Sequence, residues 1–330
     1  MSVKTTTCAL PKKRYLRSVI LLLSSALLGC TRTESSTAGD QTVARLVLRI
    51  PSTLHRNLVE NSIAVTSVSQ PGVIFGANDS GHEPLLFAFD SLGQHRGVWG
   101  LPGAGNRDWE AAGLGPCGAA RQERSCLYIG DTGDNGARRS HVTLYRIVEP
   151  TVAASAPDSV LVWPVRDRIE VRYPDQPHDV EALYVGLEGS VFLITKRRLL
   201  DDGRRPRPAL LFQVGPTAWD SSGIVTARLI DSLPIVPGTA QGRQITDAAL
   251  SVDGTRLAVR TYAEVYLLAM DAGTGRPLAG QSPRPCSIRA LEQERGEGIG
   301  WWWDQRRLVL TSEGRRQPLH VVECPPPGAY

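Results

Sequence analysis

Asp247-Ala-Ala-Leu-Ser-Val252, Arg256-Leu-Ala-Val-Arg260 and Glu264-Val-Tyr-Leu-Leu-Ala-Met270 are three apolar-rich runs. The turn signal Asp253-Gly254 parts the first two, and Asp271-Ala-Gly-Thr-Gly275 follows the third. Alternating side chains suit half-buried strands, and Asp-Gly and Gly-rich turns suit hairpins. A fourth run at Cys286-Ser-Ile-Arg289 completes the set. Four antiparallel strands in about 45 residues are the size of a propeller blade.

The same grammar recurs in both directions. Upstream lie units opening at Asn61, Glu110 and Glu181, and downstream one opening at Glu297. Their expected fourth strands are Gly97–Leu101, Val160–Trp163 and Val225–Leu229. The last unit has only three strands before the chain ends, and Val43–Ile50 is a strand with no unit of its own. Pairing the two hides both edges. The fold class is therefore all-β, a β-propeller of four-stranded antiparallel blades closed by an N-terminal strand. Five blades are counted. Spacing of roughly 50 to 70 residues between unit starts leaves room for a sixth, degenerate blade between Val160 and Tyr173.

The N-terminus reads as an address. Lys12, Lys13, Arg14 and Arg17 precede the apolar run Ser18–Leu28. About a dozen residues is the length of a signal h-region and short for a membrane span. Leu27-Leu28-Gly29-Cys30 resembles a lipobox, with cleavage before Cys30 and lipid on its thiol. The expected organisation is a signal peptide at 1–29, a lipidated Cys30 and polar tether at 30–42, and one propeller at 43–330. The expected location is the cell envelope, with the outer membrane favoured because Thr31 rather than Asp follows Cys30.

Cleavage changes the charge. Five of the 37 Lys/Arg and none of the 33 Asp/Glu lie in 1–29, which leaves 32 bases against 33 acids. A nearly neutral mature chain gives no electrostatic support for nucleic-acid binding. Four cysteines remain after Cys8 and Cys30 are set aside, an even number in an exported chain. Local closure suggests Cys117–Cys126 and leaves Cys286–Cys324, one of three possible connectivities.

First strands line a propeller's channel, so Asn61, Glu110, Glu181, Asp247 and Glu297 are expected to ring one end of it. Second strands return to the same face and bring Asp79, Asp131, Asp134, Asn135, Lys196 and Arg260 there. Loops before the first strands add Asp108, His178 and Asp179. Clustered carboxylates repel unless protonated or bridged by a cation, and hard oxygen donors suit Ca²⁺. One reading is a Ca²⁺ (or Mg²⁺) held by some of Glu110, Asp131, Glu181, Asp247 and Glu297, with Lys196 and Arg260 beside it for an anion. The other is structural, with Asx-turns and ties between blades. His178, next to Asp179, is a candidate general base or a loop histidine capping a strand. Trp301-Trp302-Trp303 is a candidate sugar platform or a core-facing strand.

Asn78-Asp79-Ser80-Gly81, Asp108-Trp109-Glu110, Gly130-Asp131 with Asp134-Asn135, His178-Asp179 with Glu181-Ala182-Leu183, and Thr195-Lys196 together resemble a group of exported bacterial propeller proteins of undefined activity. More distantly, the organisation is similar to TolB-like six-bladed propellers, including gluconolactonase/regucalcin-type hydrolases and the esterase-like domains associated with phytases. That second resemblance implies a divalent metal and ester or lactone hydrolysis. Two functions follow. One is a membrane-tethered binding module for a protein, glycan or small anionic ligand. The other is a metal-dependent hydrolase of a lactone or phosphate ester, with metal-activated water. The sequence carries no nucleophile elbow, phosphate loop or His-Glu-x-x-His, which favours binding.

Overall fold

A computed structural model describes residues 42–118, 125–153, 159–197, 207–237, 242, 244–293 and 295–325. The expected signal peptide, Cys30 and nearly all of the expected tether lie outside the described residues. The strands form five sheets, which are the five blades. Their inner strands are Val65–Thr66, Trp109–Pro116, Val180–Val185, Ile245–Leu250 and Gly296–Trp301. Blades 1 to 5 are numbered in that order.

The turns form where the sequence places them. In blade 4 the Asp253 carboxylate accepts hydrogen bonds from the Ser251 hydroxyl at 2.6 Å and the Thr255 amide at 3.0 Å, while Gly254 takes φ +71°. These bonds hold Asp253 down to about 2. Asp271 caps the next turn by accepting from Gly273 and Thr274, and Gly275 sits at φ +67°.

The interior consists of five apolar clusters, one between each pair of neighbouring blades. Between blades 1 and 2, Phe75, Trp99 and Leu86 meet Trp109, Ile129 and Tyr145. Each blade face is thus buried against the next, and removal of apolar surface from water holds the ring together.

Arg45–Ile50 pairs antiparallel with Leu319–Glu323 and is the outer strand of blade 5, so the chain's two ends share one blade. Two expected strands move. Asp167–Arg172, not Val160–Trp163, is the outer strand of blade 2. Arg228–Ser232 is the outer strand of blade 3 and overlaps only the end of Val225–Leu229. The interval set aside for a sixth blade is therefore filled by blade 2's own outer strand.

The displaced segments have another use. Leu161–Val162 adds in parallel to Trp99–Gly100 of blade 1 before the chain enters blade 2's outer strand. Val225–Thr226 adds in the same way to Val171–Arg172 of blade 2 before blade 3's outer strand, and Thr42–Val43 to Cys286–Ser287 of blade 4 before blade 5's. Three outer edges are thereby covered by a stitch from the following blade, which blunts them against foreign strands.

Both disulfides take the expected pairing. Cys117–Cys126 closes blade 2's first hairpin, and Cys286–Cys324 joins blade 4 to blade 5. The second bond lies at the seam where Thr42 pairs with Cys286. The paired change Cys286→Ala and Cys324→Ala is expected to lower Tm by about 5 °C or more, from a loss of about 2–4 kcal/mol. Unchanged melting would show that the seam holds without it.

Candidate functional site

One residue is inserted at the opening of each inner strand. In blade 2, Trp109 faces Asp131 and Ala111 faces Gly130, so Glu110 is a β-bulge. Glu181 holds that position between Val180 and Ala182, and Thr246 between Ile245 and Asp247. Blade 5 shifts register between Gly296 and Ile299, around Glu297. In blade 1, Asn61 pairs with Asn78 and Val65 with Phe75, which puts the extra residue at Ser62. A bulge re-aims the side chain it carries. The equivalent positions are therefore Ser62, Glu110, Glu181, Thr246 and Glu297.

This moves two of the five expected ring residues. Asn61 occupies the place held by Trp109, Val180 and Ile245 in other blades, a core position, and its side-chain amide is buried without a partner. Asp247 lies one residue past the bulge and accepts from the amides of Ala248 at 2.8 Å and Ile299 at 2.7 Å. Burial raises its pKa despite those bonds. It staples blade 4 to blade 5.

Two further positions sit above each bulge. Backbone bonds Asp79 N–Glu60 O, Thr132 N–Asp108 O, Lys196 N–Asp179 O and Glu313 N–Arg295 O repeat at 2.9 to 3.1 Å in four blades. Register gives Tyr262 and Gln244 the same places in blade 4. The three layers carry Glu60, Asp79, Asp108, Glu110, Asp179, Glu181, Glu297 and Glu313 against Lys196 and Arg295. Thr132 and Tyr262 are the neutral members of the second-strand layer.

Crowding and burial push these acids up. Burial, then Glu181 and Asp108, raise Glu110 to about 11. Burial raises Glu181 to about 8, although Lys196 Nζ lies 2.8 Å from its Oε1 and pulls the other way. Burial raises Glu297 to about 7 against Lys196, with Glu313 adding to the rise. Asp79 reaches about 7 through burial and Glu60, and burial also raises Asp108 and Asp179. Glu297 Oε2 is buried with no partner. Lys196 is the base among them. It lies 5.8 Å from the Tyr262 ring, and Glu181 raises its pKa against the cost of burial.

The remaining expected site residues hold the scaffold. Asp131 accepts from the amides of Arg107 and Asp108 and from Arg139 Nη1 at 2.8 Å. Asp134 accepts from the amides of Arg138 and Arg139, both at 2.7 Å, and donates its own amide to Asp179 Oδ1. Asn135 is exposed on that turn. Gly133 between them admits no side chain, since a Cβ there would lie 2.4 Å from Asp108 Cγ and 2.7 Å from Glu110 Cγ. Arg260 is fully buried and donates to Gly298 O, Thr311 O and Gln293 Oε1, which occupies the cation expected to meet an anion. Burial pulls it down to about 10.

His178 packs between Tyr173 and Phe212 at 5.2 and 5.1 Å, with Nε2 3.0 Å from Asp175. These contacts fit the loop-histidine reading of the two. Trp301 and Trp303 donate Nε1–H to Ala249 O and Ser67 O, Trp302 is buried beside Leu319, and Trp303 is partly buried on the same cluster. Glu60, His82 and Glu313 were not singled out as site residues. The signal for Glu60 is position, two residues before a bulge, and for Glu313 its place just beyond a second strand; His82 lies beyond the Gly81 turn and carries no such signal.

No protein-family model matches the chain, and no curated protein matches it. Among solved structures it is similar to glutaminyl cyclase of Myxococcus xanthus, with 14% identity, 87% of this chain and 99% of that chain covered, and a TM-score of 0.47. A gluconolactonase of Xanthomonas campestris shares 12% identity over 85% of this chain and 99% of its own, with a TM-score of 0.39. An auxiliary nutrient binding protein of Bacteroides thetaiotaomicron shares 6% identity over 80% of this chain and 69% of its own, with a TM-score of 0.42.

Proposed function

We propose that the chain is an exported binding module, lipid-anchored through Cys30 to the outer membrane, whose channel mouth holds Ca²⁺. The observation that carries this reading is Glu297 Oε2, a buried carboxylate oxygen without a partner. Glu110 and Glu181 interact with Glu297 electrostatically and are raised along with it. A dication there replaces protons shared among the acids, and all-oxygen donors favour Ca²⁺ over softer metals. Asp108 and Asp179 lie one layer above and face incoming ligand. The ligand proposed is a protein, glycan or small anion that completes the ion's coordination.

Hydrolysis of a lactone or phosphate ester is the alternative. Binding is favoured over it because His178, the one histidine assigned as base, has its Nε2 committed to Asp175. Full chain in detergent, stripped with chelator and titrated with Ca²⁺, is expected to bind about one ion per chain and to melt higher. Glu110→Gln and Glu297→Gln should each weaken binding about tenfold or more, a loss of about 1.4 kcal/mol. Saturable binding that neither substitution changes would place the ion elsewhere, and no binding at millimolar Ca²⁺ would end the proposal.

A further inference from the structure

Blade 1 carries a group of donors that the proposed Ca²⁺ site of Glu110, Glu181 and Glu297 does not use. Glu60 lies two residues before the Ser62 bulge, Asp79 just past the second strand, and His82 beyond the Gly81 turn at φ +75°. One ligating atom from each lies within 4.8 Å of the other two. Glu60 Oε2 is 2.6 Å from His82 Nε2, and the Glu60 charge helps to raise the Asp79 carboxyl after burial. Asp79 Oδ1 is buried and has no partner.

The backbone under these side chains is fixed. Asp79 N donates to Glu60 O at 3.0 Å. Asn78 Oδ1 accepts from the amides of Val59 and Glu60 at 2.9 Å, and Asn78 Nδ2 donates to Asn57 O at 2.6 Å. Asn106 ties the Asn78 carbonyl to blade 2 at 3.0 Å. Donors set on such a frame need little rearrangement to close on an ion.

We infer that Glu60, Asp79 and His82 form a second metal centre, which binds a first-row transition dication, Zn²⁺ foremost. An imidazole nitrogen with two carboxylates is a donor set of borderline softness. Zn²⁺ accepts it in tetrahedral geometry with a fourth position open, whereas Ca²⁺ wants six to eight oxygens. The His82–Glu60 hydrogen bond is one a metal would replace. His82 also lines a cavity of about 300 Å³ with Arg56, Asn57, Arg315 and the acid Glu83, so the imidazole is reached from open space.

The test uses Co²⁺ as a coloured substitute and Zn²⁺ as competitor, on the full chain in detergent after stripping with chelator. One equivalent of Co²⁺ should bind with visible absorption bands, be displaced by Zn²⁺, and resist millimolar Ca²⁺. His82→Ala and Glu60→Gln change partly exposed side chains and should cost about tenfold or more in affinity. His82→Ala binding Co²⁺ as tightly as the parent, or a parent that binds none, would overturn the centre. Glu297→Gln separates this site from the channel mouth. It should lose Ca²⁺ and keep Co²⁺, and loss of both would show one shared site rather than two.

Discussion

Deleting residues 42–50 is expected to abolish cooperative melting, or to lower Tm by about 10 °C or more. Little of this comes from the deleted strand's own burial, since Leu46 and Leu48 are 45% and 43% exposed. It comes from what the strand closes. Arg45–Ile50 holds five residue pairs with Leu319–Glu323, and Ala44, Val47 and Ile50 lie against the two clusters that blade 5 shares with blades 4 and 1. Thr42–Val43 also removes the outer edge of blade 4. Without the segment two edges open at the ring's one seam, and Cys286–Cys324 remains as a covalent tie there. Exposed edges of this kind pair with other chains, so aggregation on heating should rise as well. Calorimetry of the full and shortened chains checks this. Equal melting temperatures would show that the ring does not depend on the shared blade.

In chelator, the chain should also lose stability as pH rises from 6.5 to 8.5, with Tm falling by about 5 °C or more. Glu297 and Asp79 sit at about 7 and Glu181 at about 8, above their ordinary values of 4.5, 3.8 and 4.5. The folded chain therefore keeps protons that the unfolded chain has released. Stability is highest below the unfolded values and is lost as pH climbs through the folded ones. His320 acts in the other direction. Burial holds it down at about 4, so it weakens the fold as pH drops below 6.5 and is neutral in both states above that. The chosen window isolates the carboxyls. Ca²⁺ should flatten the share of the curve that Glu181 and Glu297 contribute, because the ion replaces their protons. A Tm that climbs from pH 6.5 to 8.5 in chelator would mean that the acids are not crowded as described.

Much of the architecture was legible because hairpin turns and strand alternation are local. Asp253-Gly254 marks its turn within four residues, and the unpaired run at Val43–Ile50 announced the shared blade. The stitches were not legible. Leu161–Val162 and Val225–Thr226 look like outer strands by composition, and only the parallel pairing partner on the preceding blade tells them apart. The proposed channel ring was legible to within one residue. Glu110, Glu181 and Glu297, expected to line the channel, stand at the bulges. A bulge inverts which side chain faces the channel, so Asn61 and Asp247 fell on its wrong sides and Ser62 and Thr246 were passed over. Asp131 and Arg260 mislead for a different reason. Their charges mark a site in sequence, but the folded chain commits Asp131 to loop amides and Arg260 to strand carbonyls of blade 5.

The channel mouth is the centre of the account, and proton counting tests it most directly. Calorimetric titration of Ca²⁺ into the stripped full chain, in buffers of different ionisation enthalpy, measures protons displaced per ion bound. Glu181, Glu297 and the more strongly raised Glu110 still hold protons at pH 7. Binding should therefore release protons at pH 7, release fewer at pH 9, and tighten between the two. Binding that displaces no protons at pH 7, with an affinity independent of pH, would contradict a site built from these carboxylates.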